Sequence, residues 1–213
     1  MHYVSTRNPD TRLSAAQAIV QGLSRDGGLF LPEEIPQISL EDIKALSLLP
    51  YPARAAKLMK LYLDEFTEEE LLRFAEKAYG AAKFDDPKAA PVKPLGENRY
   101  ILELWHGPTC AFKDMALCIL PHLMNAAREK NGLKEDLVIL TATSGDTGKA
   151  ALAGFAFSSF AGNIVMGGSD ILKPYIADTV KALAKKDRFE VDIQMNGSYT
   201  AFDEMKSGAS DVA

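Results

Sequence analysis

The first part of the chain has apolar residues at helical spacing, separated by short polar and glycine-containing turns. Predicted helices cover residues 15–23, 40–48 and 52–62, and a fourth begins after Thr67. Asp10 or Ser14 is the candidate cap of the first helix, because a short side-chain oxygen accepts a hydrogen bond from the unpaired N–H groups there. The proline-rich residues 85–94 are typical of a linker. This pattern predicts a helical amino-terminal region over residues 1–95.

Beyond the linker, the pattern changes to alternating strands and helices. Strand-like runs lie at residues 100–105, 137–142, 163–166 and 189–195. Helical runs lie at residues 111–130, 150–155, 171–186 and 200–206, and a kink is expected at Pro121 in the first of them. Alternation of this kind favours an α/β fold with a parallel sheet. We divide this part into a partial α/β domain, residues 96–157, and a small α/β segment, residues 163–213.

Composition and charge argue against several classes of protein. The 213 residues are 47% hydrophobic and 25% charged, which is typical of globular proteins. A net charge of −5 argues against nucleic-acid binding through a general basic surface, and no apolar stretch reaches the ~18 residues of a membrane span. Cys110, Cys118 and the three histidines match neither a disulfide scaffold nor a zinc pattern. The start of the chain lacks the apolar core of a secretion signal, so we expect a cytoplasmic protein.

Residues 106–114, with the sequence HGPTCAFKD, form the first segment with candidate chemistry. Lys113 falls in the first turn of a predicted helix, where the helix dipole disfavours a cation. That field, together with partial burial beside Phe112, favours a neutral and nucleophilic amine of the kind that forms Schiff bases. The alternative is a solvated lysine that pairs with the neighbouring Asp114.

Residues 141–148, with the sequence TATSGDTG, form the second such segment. They join a predicted buried strand to a predicted helix, so that hydroxyl and backbone N–H groups converge at a helix start. Such a place binds carboxylate or phosphate oxygens, and open α/β sheets bind ligands at this end of their strands. The alternative is an ordinary tight turn that Ser144 or Asp146 caps.

Taken together, the two segments resemble motifs of threonine synthase. HGPTCAFKD is similar to the family's H-G-P-T-x-A-F-K-D, and TATSGDTGKAA is similar to its T-A-T-S-G-D-T-G-x-A-A. Residues 3–7 and 22–32 are similar to the family's Y-x-S-T-R and G-L-x-x-D-G-G-L-x-x-P. The resemblance covers residues 1 to about 156. It implies a partial tryptophan-synthase-β-like domain, which is PLP fold type II, after the helical amino-terminal region.

The resemblance implies a lyase of threonine biosynthesis that uses pyridoxal 5′-phosphate (PLP). Such an enzyme converts a small-molecule substrate, O-phosphohomoserine, and water into threonine and phosphate. By the same resemblance, Lys113 is the catalytic residue that holds the cofactor and moves protons. Ser144, Gly145, Asp146 and Thr147 are the implied binding residues for the anionic groups of cofactor and substrate.

Three residues near these motifs receive no catalytic role from the sequence. His106 lies within the first motif, where a packing role and a catalytic role both stay open. Cys110 occupies a variable position of the motif, and His122 is expected on a helix surface. The oligomeric state is also open, since the family is found as monomers and dimers.

Residues after about 155 show no resemblance to threonine synthase. Residues 163–213 are similar to the start of a phosphate-type periplasmic substrate-binding protein, with Gly168 and Ser169 as the implied phosphate contacts. We therefore hypothesise that two unrelated fragments join near residues 155–162. The alternative is a diverged, truncated threonine synthase homologue whose tail only looks similar to the other family.

The activity of the chain as it stands is a separate question. The family's second glycine-rich loop and its polar partner for the pyridine nitrogen are not recognisable in the sequence, so we expect no turnover. A phosphate- or anion-binding fragment and a chain without function are the alternatives to a threonine synthase-like enzyme.

Overall fold

The computed structural model describes residues 1–134, 145–156, 164–167 and 191–194. The chain divides into two compact units, one of residues 1–103 and 122–134 and the other of residues 104–121 and 135–213. In the described part of the chain, no helix is both long enough and apolar enough to cross a membrane.

A small antiparallel sheet opens the first unit. Its strands are β1 (His2–Ser5), β2 (Arg12–Ser14) and β3 (Phe30–Pro32), in the order β2-β1-β3. Tyr3 lies opposite Leu13, and Val4 lies opposite Leu31. The sequence pattern indicated only helices here, because strands of three or four residues are too short to establish an alternation. The amino-terminal region is therefore mixed and not purely helical.

The helices of this region form where the sequence predicts them. They are α1 (Ala15–Gln21), α2 (Leu40–Ser47), α3 (Tyr51–Tyr62) and α4 (Glu68–Tyr79). Ser14, Ser39 and Thr67 cap α1, α2 and α4, and each forms a capping box with the residue three positions later. Of the two candidate caps for α1, Ser14 is the one observed.

The core of the first unit lies around α4. Phe66 and Leu71 are fully buried, and α4 packs on α3. Tyr79 contacts the ring of Tyr51 edge-on, with centroids 5.1 Å apart. Helix α6 (Leu120–Lys130) adds Ala127, which is fully buried, to the buried residues of this unit. Aromatic and alanine side chains thus fill the space between helices, as close packing requires.

A hairpin crosses the predicted domain boundary at residue 95. Strands β4 (Val92–Gly96) and β5 (Arg99–Leu102) pair antiparallel. Glu97 and Asn98 connect them with φ values of 44° and 61°, the positive values that a two-residue hairpin turn requires. The predicted linker over residues 85–94 therefore ends in a strand. The strand predicted at residues 100–105 pairs in this hairpin and not in a parallel sheet.

The prediction of a single helix over residues 111–130 is wrong. The structure has α5 (Asp114–Leu117) and then α6, with a turn between them. Pro121 is the second residue of α6, within the first turn, where backbone N–H groups have no intrahelical acceptor. Proline is tolerated at that place, so it starts a new helix and does not kink an existing one.

The described remainder of the second unit consists of one helix and two strands. They are α7 (Asp146–Ala156), β6 (Ile164–Gly167) and β7 (Val191–Gln194). The two strands pair in parallel, with Ile164 opposite Val191, as the α/β pattern predicts. The strand expected at residues 137–142 and the helices expected at 171–186 and 200–206 lie outside the described residues.

Candidate functional site

The first motif folds into a turn that closes on a buried carboxyl group. Asp114 is fully buried. Its Oδ2 accepts a hydrogen bond from the backbone N–H of Thr109 at 2.9 Å, and its Oδ1 accepts one from the Thr109 hydroxyl at 2.7 Å. A buried carboxyl group needs such donors, because burial without hydrogen bonds costs roughly several kcal/mol. The sequence pattern suggested Asp114 only as a partner of Lys113, so this buried role was not predicted.

The same turn depends on a glycine and on an unusual backbone conformation. A Cβ on Gly107 would lie 2.6 Å from both Cβ and Oδ2 of Asp114, so the backbone of Gly107 packs directly on that side chain. Cys110 has φ 54° and donates its N–H to the Gly107 carbonyl at 3.1 Å. Positive φ is uncommon for a residue other than glycine. The exposed thiol of Cys110 contributes nothing to these contacts.

Lys113 occupies the cap position directly before α5 and is half-buried. Its Nζ lies 4.8 Å from the centroid of the Phe112 ring, a cation–π distance. Within the described residues, no ion pair joins Lys113 to Asp114, whose carboxyl group binds Thr109. The alternative of a lysine–aspartate pair is therefore not seen. The helix dipole at Lys113 is also weak, because α5 has only four residues and few aligned peptide units.

The second motif is described from Gly145 onward, and Ser144 lies outside the described residues. Gly145 has φ 142°, and its carbonyl accepts a hydrogen bond from the N–H of Lys149 at 2.9 Å. Asp146 is the first residue of α7, and its Oδ1 pairs with Nζ of Lys149 at 2.9 Å. Thr147 is half-buried in the first turn. A helix does follow this motif, but α7 begins at Asp146 and therefore includes residues 146–149, which the sequence pattern placed in the loop.

Helices α5 and α7, each adjoining one motif, are in direct contact. A Cβ on Gly154 would lie 2.0 Å from the carbonyl oxygen of Leu117, so the two backbones touch at that point. Only glycine permits so close an approach. The structure therefore packs together the helices that adjoin the two motifs.

The histidines near the first motif differ from one another. The ring of His106 stacks on that of Trp105, with centroids 5.7 Å apart. The sequence placed His122 on a helix surface, but the residue is half-buried. Its Nε2 is buried without a hydrogen-bond partner among the described residues. Its ring stacks on Phe74 at 6.0 Å. Burial, with smaller effects from Lys83 and Lys77, lowers the pKa of His122 to about 4.

The two amino-terminal motifs meet at one carboxylate. The hydroxyl of Ser5 donates to Asp26, at 2.9 Å to Oδ1 and 2.8 Å to Oδ2, and the N–H of Gly28 donates to Oδ1 at 2.7 Å. Arg7 donates from Nη1 to the carbonyl of Asp26 at 3.1 Å. The Gly28 hydrogen bond, followed by those of Ser5 and Ser24, lowers the pKa of Asp26. These motifs therefore have a structural role in joining β1 to the turn before β3.

In the described ranges, no group of three or more His, Cys, Asp or Glu side chains is placed to hold a metal ion.

Comparison with known proteins agrees with this arrangement. Residues 2–79 match the family described as threonine synthase N terminus. The threonine synthase of Pseudomonas aeruginosa is 39% identical over 155 residues, which is 72% of this chain and 32% of that protein. This chain is related to the threonine synthases. The Schizosaccharomyces pombe threonine synthase is 40% identical over 160 residues, 71% of the chain and 31% of the relative. The matches thus span about a third of these curated relatives.

Solved threonine synthase structures have the same mixed architecture of helices and strands, PLP fold type II. A PLP-bound threonine synthase from Brucella melitensis matches with a TM-score of 0.72 and 36% identity, covering 79% of this chain and 36% of its own. The threonine synthase from yeast matches with a TM-score of 0.68 and 29% identity, covering 91% of this chain and 45% of its own. With these relatives and solved structures, the alternative of an anion-binding fragment or a fusion of unrelated pieces is not favoured.

Proposed function

We propose that this chain carries the lysine-bearing part of a threonine synthase and that Lys113 binds pyridoxal phosphate. The observation that carries the proposal is the setting of this lysine. Its amine lies over the Phe112 ring, while the neighbouring Asp114 carboxyl group is engaged by Thr109. Among the residues that the structure describes, no ion pair holds this amine, which leaves it available to bond a carbonyl carbon. The relation to threonine synthases, one of which is PLP bound, supports the same assignment.

The residues of the second motif suit the anionic groups of cofactor and substrate. The first N–H groups of α7 have no intrahelical acceptor, and α7 is long enough, at 11 residues, to have a helix dipole. In the proposal Asp146 and Thr147 supply such N–H groups, Gly145 forms the turn into the helix, and Ser144 adds a hydroxyl. The ion pair with Lys149 reduces the repulsion that the Asp146 carboxylate exerts on an anion.

The proposed reaction converts O-phosphohomoserine and water into threonine and phosphate. When bound, pyridoxal phosphate supplies an electron sink for negative charge that develops on a substrate carbon. In this reaction Lys113 is the catalytic residue, which holds the cofactor and moves a proton at its Nζ. We place the reaction in the cytoplasm, as expected from the sequence.

Equilibrium binding tests the proposal. Pyridoxal phosphate is titrated into the chain and into the variants Lys113→Ala and Lys88→Ala, and the change in cofactor absorbance is followed. Lys88 is an exposed lysine and serves as the matched control. We expect saturable binding in the wild type and in Lys88→Ala, and a loss of roughly tenfold or more in affinity in Lys113→Ala. Equal binding in all three proteins would refute the role of Lys113.

Turnover is measured separately from binding, as phosphate release from O-phosphohomoserine. We expect any phosphate release to depend on Lys113, which holds the cofactor in this proposal. Release that continues unchanged in Lys113→Ala would contradict the assigned residue.

A further inference from the structure

The residue that follows Lys113 is held more firmly than the lysine itself. Asp114 is fully buried and accepts two hydrogen bonds from Thr109, one from the backbone and one from the hydroxyl. Lys113 is half-buried, its Nζ lies 4.8 Å from the centroid of the Phe112 ring, and no ion pair holds it among the described residues. The backbone at Lys113 is therefore fixed through its neighbour.

The hydrogen bonds reach across the whole turn before the lysine. Gly107 lies against the Asp114 side chain, where a Cβ would come within 2.6 Å of Oδ2. The Gly107 carbonyl accepts a hydrogen bond from the N–H of Cys110. The Ala111 carbonyl accepts one from the N–H of Asp114 at 3.0 Å. The buried carboxyl group, bonded to Thr109, and these two backbone hydrogen bonds together hold residues 107–111. Buried hydrogen bonds of this kind are costly to leave unmade, so the turn has one preferred arrangement.

We infer that Thr109 and Asp114 are positioning residues for Lys113, acting through the turn and not on the cofactor or substrate. The inference rests on the proposed function, since it concerns the lysine assigned there. Loss of the Thr109 hydroxyl removes one of the two hydrogen bonds, and the turn then samples other conformations. A reacting group that is displaced by about 1 Å loses up to roughly a hundredfold in rate. The lysine would still be present, but its amine would spend less time where an aldehyde can react.

The test compares Thr109→Val with Thr109→Ser. Valine matches threonine in shape but has no hydroxyl, whereas serine keeps the hydroxyl that donates to Asp114. Each protein is incubated with pyridoxal phosphate, reduced with borohydride and mapped by peptide mass spectrometry. The label on Lys113 is expressed relative to the label on the exposed Lys88. We expect the ratio to fall roughly tenfold or more in Thr109→Val and to stay within about twofold of wild type in Thr109→Ser.

Hydrogen exchange provides a readout that does not depend on the cofactor. We expect the peptide that covers residues 107–112 to exchange faster in Thr109→Val and as slowly as wild type in Thr109→Ser. If the valine variant does not fold, Thr109→Ala replaces it, because alanine removes the hydroxyl with less bulk. Thermal unfolding of all variants controls for a general loss of structure.

The outcomes separate this inference from the proposed function. Selective label on Lys113 in the wild type and equal selectivity in Thr109→Val would overturn the positioning role and leave the proposed function intact. A wild type without any preference for Lys113 would overturn the proposed function, and the positioning role with it. If the preference of the label for Lys113 is lost in Thr109→Val and kept in Thr109→Ser, the result would support both the positioning role and the proposed function.

Discussion

The carbonyl oxygen of Leu117 lies only 2.0 Å from the place where a Cβ of Gly154 would stand. Leu117 ends α5, and Gly154 lies near the end of α7. The contact is between backbones, so neither side can make room by rotating a side chain. This relationship joins the two helices that adjoin the candidate motifs.

We expect Gly154→Ala to lower the free energy of unfolding by about 2 kcal/mol, because the added methyl group would overlap the Leu117 carbonyl. Alanine has the higher helix propensity, so any loss arises from the contact and not from the helix itself. Denaturant unfolding measures the change. The control is Gly22→Ala, where φ is 71° and nothing lies within 4 Å, with an expected cost of about 1 kcal/mol. A smaller loss for Gly154→Ala than for this control would contradict the close contact.

His122 makes stability depend on pH in a defined window. Its folded-state pKa of about 4 lies below the unfolded value of 6.5, so the unfolded chain binds more protons between these values. Stability is therefore full above pH 6.5 and falls as the pH drops toward 4. We expect a loss on the order of 1 kcal/mol, since remaining exposure weakens the effect.

His122→Phe tests this dependence, because phenylalanine keeps the stack on Phe74 and removes both the titration and the unpaired Nε2. Urea unfolding at several pH values between 7 and 4 should give a shallower slope for this variant. His2→Gln, a change at an exposed histidine, should leave the slope unchanged. An unaltered slope in His122→Phe would show that other groups cause the dependence.

Arg54 stabilises the end of α2. Its Nε donates to the carbonyl of Leu46 at 3.1 Å, and its Nη2 donates to that of Leu49 at 3.0 Å. Helix α2 has no buried residue, so these hydrogen bonds to its end matter more than packing. We expect Arg54→Met to destabilise α2 locally by about 1 kcal/mol.

Hydrogen exchange of peptides from α2 measures the effect of Arg54, with α4 as the internal reference. Exchange should accelerate in α2 and stay unchanged in α4, whose residues Leu71 and Ala75 are fully buried. Arg54→Lys keeps the charge but loses the forked donor, and an intermediate effect is expected. Equal acceleration in both helices would point to a global loss of stability.

Local sequence signals predicted much of the first unit. Ser14 was one of two candidate caps of α1, and the fourth helix was predicted to begin after Thr67; the cap and the helix start are both confirmed. The strands β1 to β3 escaped prediction because three or four residues give too few positions for alternation. Pro121 was misread for a different reason: proline breaks a helix interior but suits a first turn, and the sequence alone left its position open.

The candidate site was predicted in part. The motif around Lys113 showed where the lysine would lie, but not that Asp114 would be buried and bonded to Thr109. The sequence did contain a signal. Asp114 follows Thr109 by five residues and Gly107 by seven, and this combination fits a buried carboxylate that accepts from the threonine and packs on the glycine backbone. Only the fold shows that these residues meet, because the turn at Cys110 has a positive φ that no local preference of cysteine predicts.

The most direct test of the account is the position of the borohydride-fixed pyridoxyl label in the wild-type chain. We predict that Lys113 carries more label than any other lysine and that this label disappears in Lys113→Ala but not in Lys88→Ala. An unfolded sample, treated in the same way, gives the background for accessible lysines. Label spread over many lysines to the same extent as in that background would contradict the central claim, because the first motif would then form no cofactor site.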